Sequence, residues 1–222
     1  MVNQNIDPCS LEYFDHNALE RLKSKYTNIP DYSRAAMFFE QDVAKKCDYD
    51  GVLENWYEFL NAEEIILEDS WFAQGPKDVQ MFQNFRHDAP VLINEENSRA
   101  GRVKLGTDMA VPDEYFLSMM ELYRETLNDN DVDYIIFGHL GDNHLHINLL
   151  PEDSQGDKAQ NIYDTLVDQI LKWGGTVSAE HGVGKLKKDY FAKMVGPNGL
   201  KELSKVKRCL DPQNRLGVGN IL

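Results

Sequence analysis

Val132-Asp-Tyr-Ile-Ile-Phe-Gly-His139 and His144-Leu-His-Ile-Asn-Leu-Leu150 are two strand-length runs joined by a short connection containing Gly141-Asp142-Asn143. A connection this short between β-rich runs predicts an antiparallel hairpin. Side chains two apart in a strand share a face. His144, His146 and Asn148 should therefore project together, while Leu145, Ile147 and Leu149 point into the core. His139 ends the first strand, so the hairpin can bring it beside His146.

Upstream, Pro112-Asp-Glu114 opens a helix with its apolar stripe at Phe116, Met120, Tyr123 and Leu127, and Val103 to Val111 reads as extended. Pro76 begins a helix through Val79, Phe82, Phe85 and Arg86 that Pro90 should interrupt or end. Val52, Trp56 and Leu60 mark a helix, and Glu64 to Leu67 a strand. At the start, Leu11 to Asp15 and Ala35 to Phe39 are strands around a helix bearing Ala18, Leu19 and Leu22. Downstream, Ile162, Leu166 and Ile170 mark a helix closed by Gly174-Gly175, followed by a strand from Thr176 to Glu180. A last helix, Lys185 to Cys209, stops at Asp211-Pro212. About seven strands among five or six helices imply an α+β fold, a largely antiparallel sheet covered by helices.

The chain has 222 residues, with 37 acids against 23 bases and a formal net charge of -14. That field opposes phosphate backbones and anionic surfaces, so no nucleic-acid partner is expected. It also repels a small anionic substrate, which would need local positive charge. Three widely spaced cysteines, without a C-x-x-C pair, fit a reducing, cytoplasmic setting. The apolar runs are strand-sized, so no transmembrane segment is expected.

Four of the six histidines fall in Gly138 to His146 and Ala179 to Gly184. Two imidazoles, from His139 and His146, and one carboxylate, from Glu180, make the donor set of a catalytic divalent ion, with positions left open. His181 adjoins Glu180 and can share the site only where the strand ends or bulges, as Gly182 and Gly184 allow. The plainer readings stand beside this one. The histidines can be hydrogen-bonded core residues, Asp142 and Asn143 simple turn chemistry, and Glu180 a solvated strand end or cap.

Taken together, Gly138-His-Leu-Gly-Asp-Asn-His-Leu-His146 and Gly174-Gly-Thr-Val-Ser-Ala-Glu-His-Gly-Val-Gly184 resemble the C-terminal half of FAD-linked 2-hydroxyacid dehydrogenases and oxidases, the D-lactate, glycolate and D-2-hydroxyglutarate group. Leu11-Glu-Tyr-Phe-Asp15, Asp108-Met-Ala-Val-Pro112 and Leu210-Asp-Pro-Gln-Asn214 extend the resemblance over the chain. It implies a ferredoxin-like substrate, or cap, domain over residues 1–184. A helical tail, residues 185–222, should return to an FAD-binding domain supplied in cis or as a separate subunit. It also implies metal ligands at His139, His146 and Glu180, His181 as the acceptor of the substrate hydroxyl proton, Asn148 as a substrate contact, and Arg86 as the carboxylate-binding arginine. Lys104 lies two positions from the family's substrate lysine. His144 replaces a frequent Asn and could add a ligand; Asn143 replaces a Gly at a left-handed turn position.

The expected activity is oxidation of a small 2-hydroxy acid to the 2-oxo acid with FAD as electron acceptor. Zinc is the expected metal, with manganese or iron compatible by ligand type. The chain alone is expected to be inactive, and a homodimer is allowed. The rival readings are a stand-alone metal-dependent hydrolase and a silent binding or assembly module of the same fold.

Overall fold

The computed structural model describes residues 6–44, 48–63, 65, 69–73 and 75–222. Its contacts group into two units: Met1–Gly101 with Ile136–Gly141, and Arg102–Ile135 with Asp142–Leu222. The fold is α+β with antiparallel pairing, as the sequence implies. Among the described residues there are six strands rather than about seven.

In the first unit, β1 (Ser10–Asp15) lies between β2 (Ala35–Glu40) and the end of β5 (Asp133–His139), antiparallel to both. The register sets Glu12 opposite Phe38 on one side and His139 on the other. Asp15 caps α1 (His16–Leu22), accepting the Ala18 amide at 2.8 Å. Helix α2 (Tyr49–Ala62) buries Trp56 and Leu60 against Ile6, with Phe39 stacked on Trp56 at 3.8 Å.

Helix α3 (Pro76–Ala100) runs unbroken through Pro90, contrary to the expected interruption. Proline removes one backbone hydrogen bond. Phe85, Ala89, Ile93 and Asn97, however, all lie buried at four-residue spacing, and that packed stripe carries the helix past the defect. Phe14 meets Phe85 edge-on at 5.4 Å beneath it. Of the expected strand at 64–67, Ile65 is described and is not in a strand; the rest lies outside the described residues.

In the second unit, β6 (His144–Leu150) pairs antiparallel with two short strands, β3 (Leu105–Gly106) and β4 (Met109–Ala110). Helices α4 (Phe116–Asn128) and α5 (Gly156–Lys172) bury Met119, Tyr123 and Leu127, and Ile162, Leu166 and Ile170. All seven residues of β6 are buried, so its polar face is covered as well as its apolar one. Asn143 takes φ 51°, the left-handed turn expected of it.

The expected strand from Thr176 to Glu180 is absent. Thr176 makes an isolated bridge to Ala110, and the chain then runs irregularly. Gly175 sets this path: a Cβ there would lie 2.5 Å from the Ala110 carbonyl oxygen and 2.7 Å from Ile170 Cγ2. Helix α6 (Lys188–Leu210) breaks its regularity at Gly196, φ 66°, just before Pro197.

Candidate active site

The polar face of β6 supplies the first half of the second unit's site. His146 Nδ1 lies 3.2 Å from the Thr107 carbonyl, and the Thr107 hydroxyl accepts the Ile147 amide at 2.9 Å. Donation from Nδ1 to that carbonyl selects the tautomer with Nε2 as the coordinating nitrogen. Burial, with the His144 ring beside it, pushes the His146 pKa down to about 4. The imidazole is therefore neutral at pH 7, the form that binds metal.

The irregular segment after Thr176 supplies the other half. Glu180 Oε1 stands 3.1 Å from His146 Nε2 and 3.2 Å from His181 Nε2. The rings of His146 and His181 stack at 4.7 Å with 5° between their planes. Neighbours in sequence thus serve one site because no strand alternation separates Glu180 from His181. Ligand atoms of Asp108, His146, Glu180 and His181 lie within 4.8 Å of one another, and so do those of His144, His146 and Glu180.

Asp108 is fully buried under this cluster. Its Oδ2 accepts Lys187 Nζ at 2.7 Å, the His181 amide at 2.9 Å and Ser178 Oγ at 3.1 Å; its Oδ1 accepts the Glu180 amide at 3.2 Å. His144 Nε2 lies 3.0 Å from Oδ1. Burial alone would raise this carboxyl's pKa, but Lys187 and the two amides outweigh it and hold it well below the usual carboxylate range. Asn148 faces Gly106, where a Cβ would come within 3.1 Å of its Oδ1, so glycine leaves room for the amide. Lys104 lies two residues before Gly106; it is half-buried, and burial lowers its pKa.

The first unit holds Arg86 and His139 on a second buried carboxylate. Glu12 Oε1 takes Arg86 Nη2 at 2.6 Å, and His139 Nδ1 lies 3.0 Å from the same oxygen. A carboxylate on Nδ1 is the usual outer support of a metal-binding histidine, again leaving Nε2 for coordination. Glu12, Thr107, Asp108 and Lys187 were not singled out as site residues from sequence. The available signal was an aspartate inside the extended, otherwise largely apolar run Thr107-Asp-Met-Ala-Val111, which is costly there unless paired.

The chain belongs to a known family: the one described as FAD linked oxidases, C-terminal domain, matches over residues 1–221. Among curated relatives, glycolate oxidase subunit GlcD of Bacillus subtilis is 26% identical over 234 residues, covering 100% of this chain and 46% of that protein. The mitochondrial D-lactate dehydrogenase [cytochrome] of Kluyveromyces lactis is 31% identical over 115 residues, covering 52% of this chain and 20% of that protein. D-2-hydroxyglutarate dehydrogenase of Stutzerimonas stutzeri is 32% identical over 96 residues, covering 41% and 21%. The chain therefore spans less than half the length of these relatives. A solved structure, 4-ethylphenol oxidase from Gulosibacter chungangensis in an isoeugenol complex, shares the fold with a TM-score of 0.54 at 11% identity, covering 94% of this chain and 46% of that one. Among the described residues, no helix is long and apolar enough to cross a membrane.

Proposed function

We propose that this chain is the substrate-binding half of an FAD-dependent oxidoreductase that converts a small 2-hydroxy acid to its 2-oxo acid. The observation that carries this reading is Glu180 Oε1 set between the Nε2 atoms of His146 and His181. The imidazole of His146 and the carboxylate of Glu180 fit a divalent ion, zinc best by donor type, with manganese or iron compatible, and the second imidazole, His181, stands beside them. His146 and Glu180 would hold it, and the sequence motif adds His139 as third ligand. When bound, the ion would acidify the substrate hydroxyl, and FAD, held by a domain in cis or by a separate subunit, would take the hydride from the α-carbon.

The remaining chemistry belongs to the chain's own side chains. His181 Nε2 takes the hydroxyl proton, while Nδ1 lies 3.9 Å from Asp108 Oδ1. Arg86 spends Nη2 on Glu12, and its other N–H groups remain to grip a carboxylate in this acidic chain. Lys104 offers a second cation and Asn148 an amide to the substrate's oxygens. Residues 185–222 form the tail that meets the flavin-binding domain, and the protein works in the cytoplasm.

The test is His181→Ala in the flavin-bearing enzyme. Loss of a positioned base should lower kcat by about 10²–10⁴-fold, with metal content unchanged by atomic absorption. Turnover within twofold of the parent would overturn the assignment of His181.

A further inference from the structure

Neither Glu180 nor His181 is carried by a helix or a strand. Their side chains are 42% and 56% exposed, so packing does little to hold them. Their backbone is held by one residue. Three consecutive amides, of Ala179, Glu180 and His181, donate to the Asp108 carbonyl, Oδ1 and Oδ2 at 3.0, 3.2 and 2.9 Å. Two consecutive amides converging on the carboxylate, with the third on the same residue's carbonyl, make a cradle. The same carboxylate stands 3.0 Å from Nε2 of His144, two residues before His146 on β6. It therefore lies between the irregular segment and the strand that bears the partner histidine. A fully buried charge needs a counter-charge, and Lys187, 12% exposed, supplies it at 2.7 Å.

We propose that Asp108, charge-balanced by Lys187, is the positioning residue of this site. It acts through the backbone of the neighbouring segment, setting where Glu180 and His181 stand relative to His146. This inference rests on the proposed oxidation of a hydroxy acid only for the use to which that geometry is put. Asparagine at position 108 keeps one acceptor oxygen but turns an NH₂ group toward N–H donors, so at least one of the two side-chain amide bonds is lost. It also removes the charge that balances Lys187.

The experiment is residue-resolved amide hydrogen exchange on the metal-free 222-residue chain, followed by a zinc titration by calorimetry. In Asp108→Asn the amides of Glu180 and His181 should exchange at least tenfold faster, while those of α5 keep their parent rates. Zinc should bind about 10–100-fold more weakly, the usual effect of losing an outer-shell support. If Asp108→Asn does not fold, Lys187→Met should show the same selective loosening, and Lys187→Arg should reverse it. Unchanged protection of Glu180 and His181 in the folded variant overturns the proposal. A parent chain that binds no zinc counts against the metal-assisted reading instead, and the exchange result still decides the role of Asp108.

Discussion

Glu12 in the first unit and Asp108 in the second are built alike: each is a buried carboxylate with a lysine or arginine and an imidazole about 3 Å or less from it. They differ in what they hold. Glu12 binds side chains from α3 and β5, elements whose backbones are already fixed by helix and ladder. Asp108 binds backbone amides of a segment with no regular structure. The first can aim two side chains; the second shapes the chain that bears them. The cations match this division, since Arg86 is 34% exposed while Lys187 is 12% exposed.

Removing each cation should therefore have unequal consequences, and Lys187→Met should be the more damaging. It leaves a fully buried carboxylate on neutral donors alone, and breaking a buried pair this way costs about 3–5 kcal/mol. Urea unfolding measures it. A loss below about 1 kcal/mol would mean that the amide cradle stabilises Asp108 without a counter-charge.

Asp15 shows what a buried carboxylate does without a close cation, and it sharpens the same comparison. Burial raises its pKa to about 6, against the opposing pull of amide hydrogen bonds from Ala18 and Ile136 and the more distant Arg21 and His16 charges. Asp108, with Lys187 in contact, shifts the other way. The fold thus favours the protonated Asp15. Its contribution to stability is fully present below the unfolded value near 3.8 and is lost as pH rises through about 6. A carboxyl displaced this far contributes about 3 kcal/mol. Unfolding curves from pH 4 to 7 should show Asp15→Asn gaining on the parent by about this amount as pH rises, since asparagine keeps the helix cap. Parallel curves for the two proteins would rule out the raised pKa.

These contrasts also show which parts could be read from the chain. His144-Leu-His-Ile-Asn-Leu-Leu150 announces its own strand because alternation is local, and Asn143 its turn for the same reason. Burial of both faces of β6 is not local, and neither is survival of α3 through Pro90, which depends on what Phe85, Ala89 and Ile93 pack against. The metal-type donors His146 and Glu180 are visible as residue types in short motifs. Their supports are not: Asp108 meets the His181 amide across 73 positions, and Glu12 meets His139 across 127. The Thr176 to Glu180 segment makes one bridge, Thr176 to Ala110, and then turns its amides to Asp108 instead of a ladder, a partner the local pattern does not reveal.

The smallest effect belongs to Arg86→Met. The ion pair is short, 2.6 Å, but the guanidinium end reaches solvent, which screens its charge. Glu12 also keeps His139 Nδ1 at 3.0 Å and Ser10 Oγ at 3.2 Å as remaining donors. The cost should be about 1 kcal/mol, a fall in Tm of about 2–4 °C by calorimetry. A loss as large as that for Lys187→Met would show that Glu12 depends on Arg86 as Asp108 depends on Lys187. A cost that small would leave the guanidinium's charge available to the proposed substrate carboxylate without loosening the β1–β5 ladder behind it.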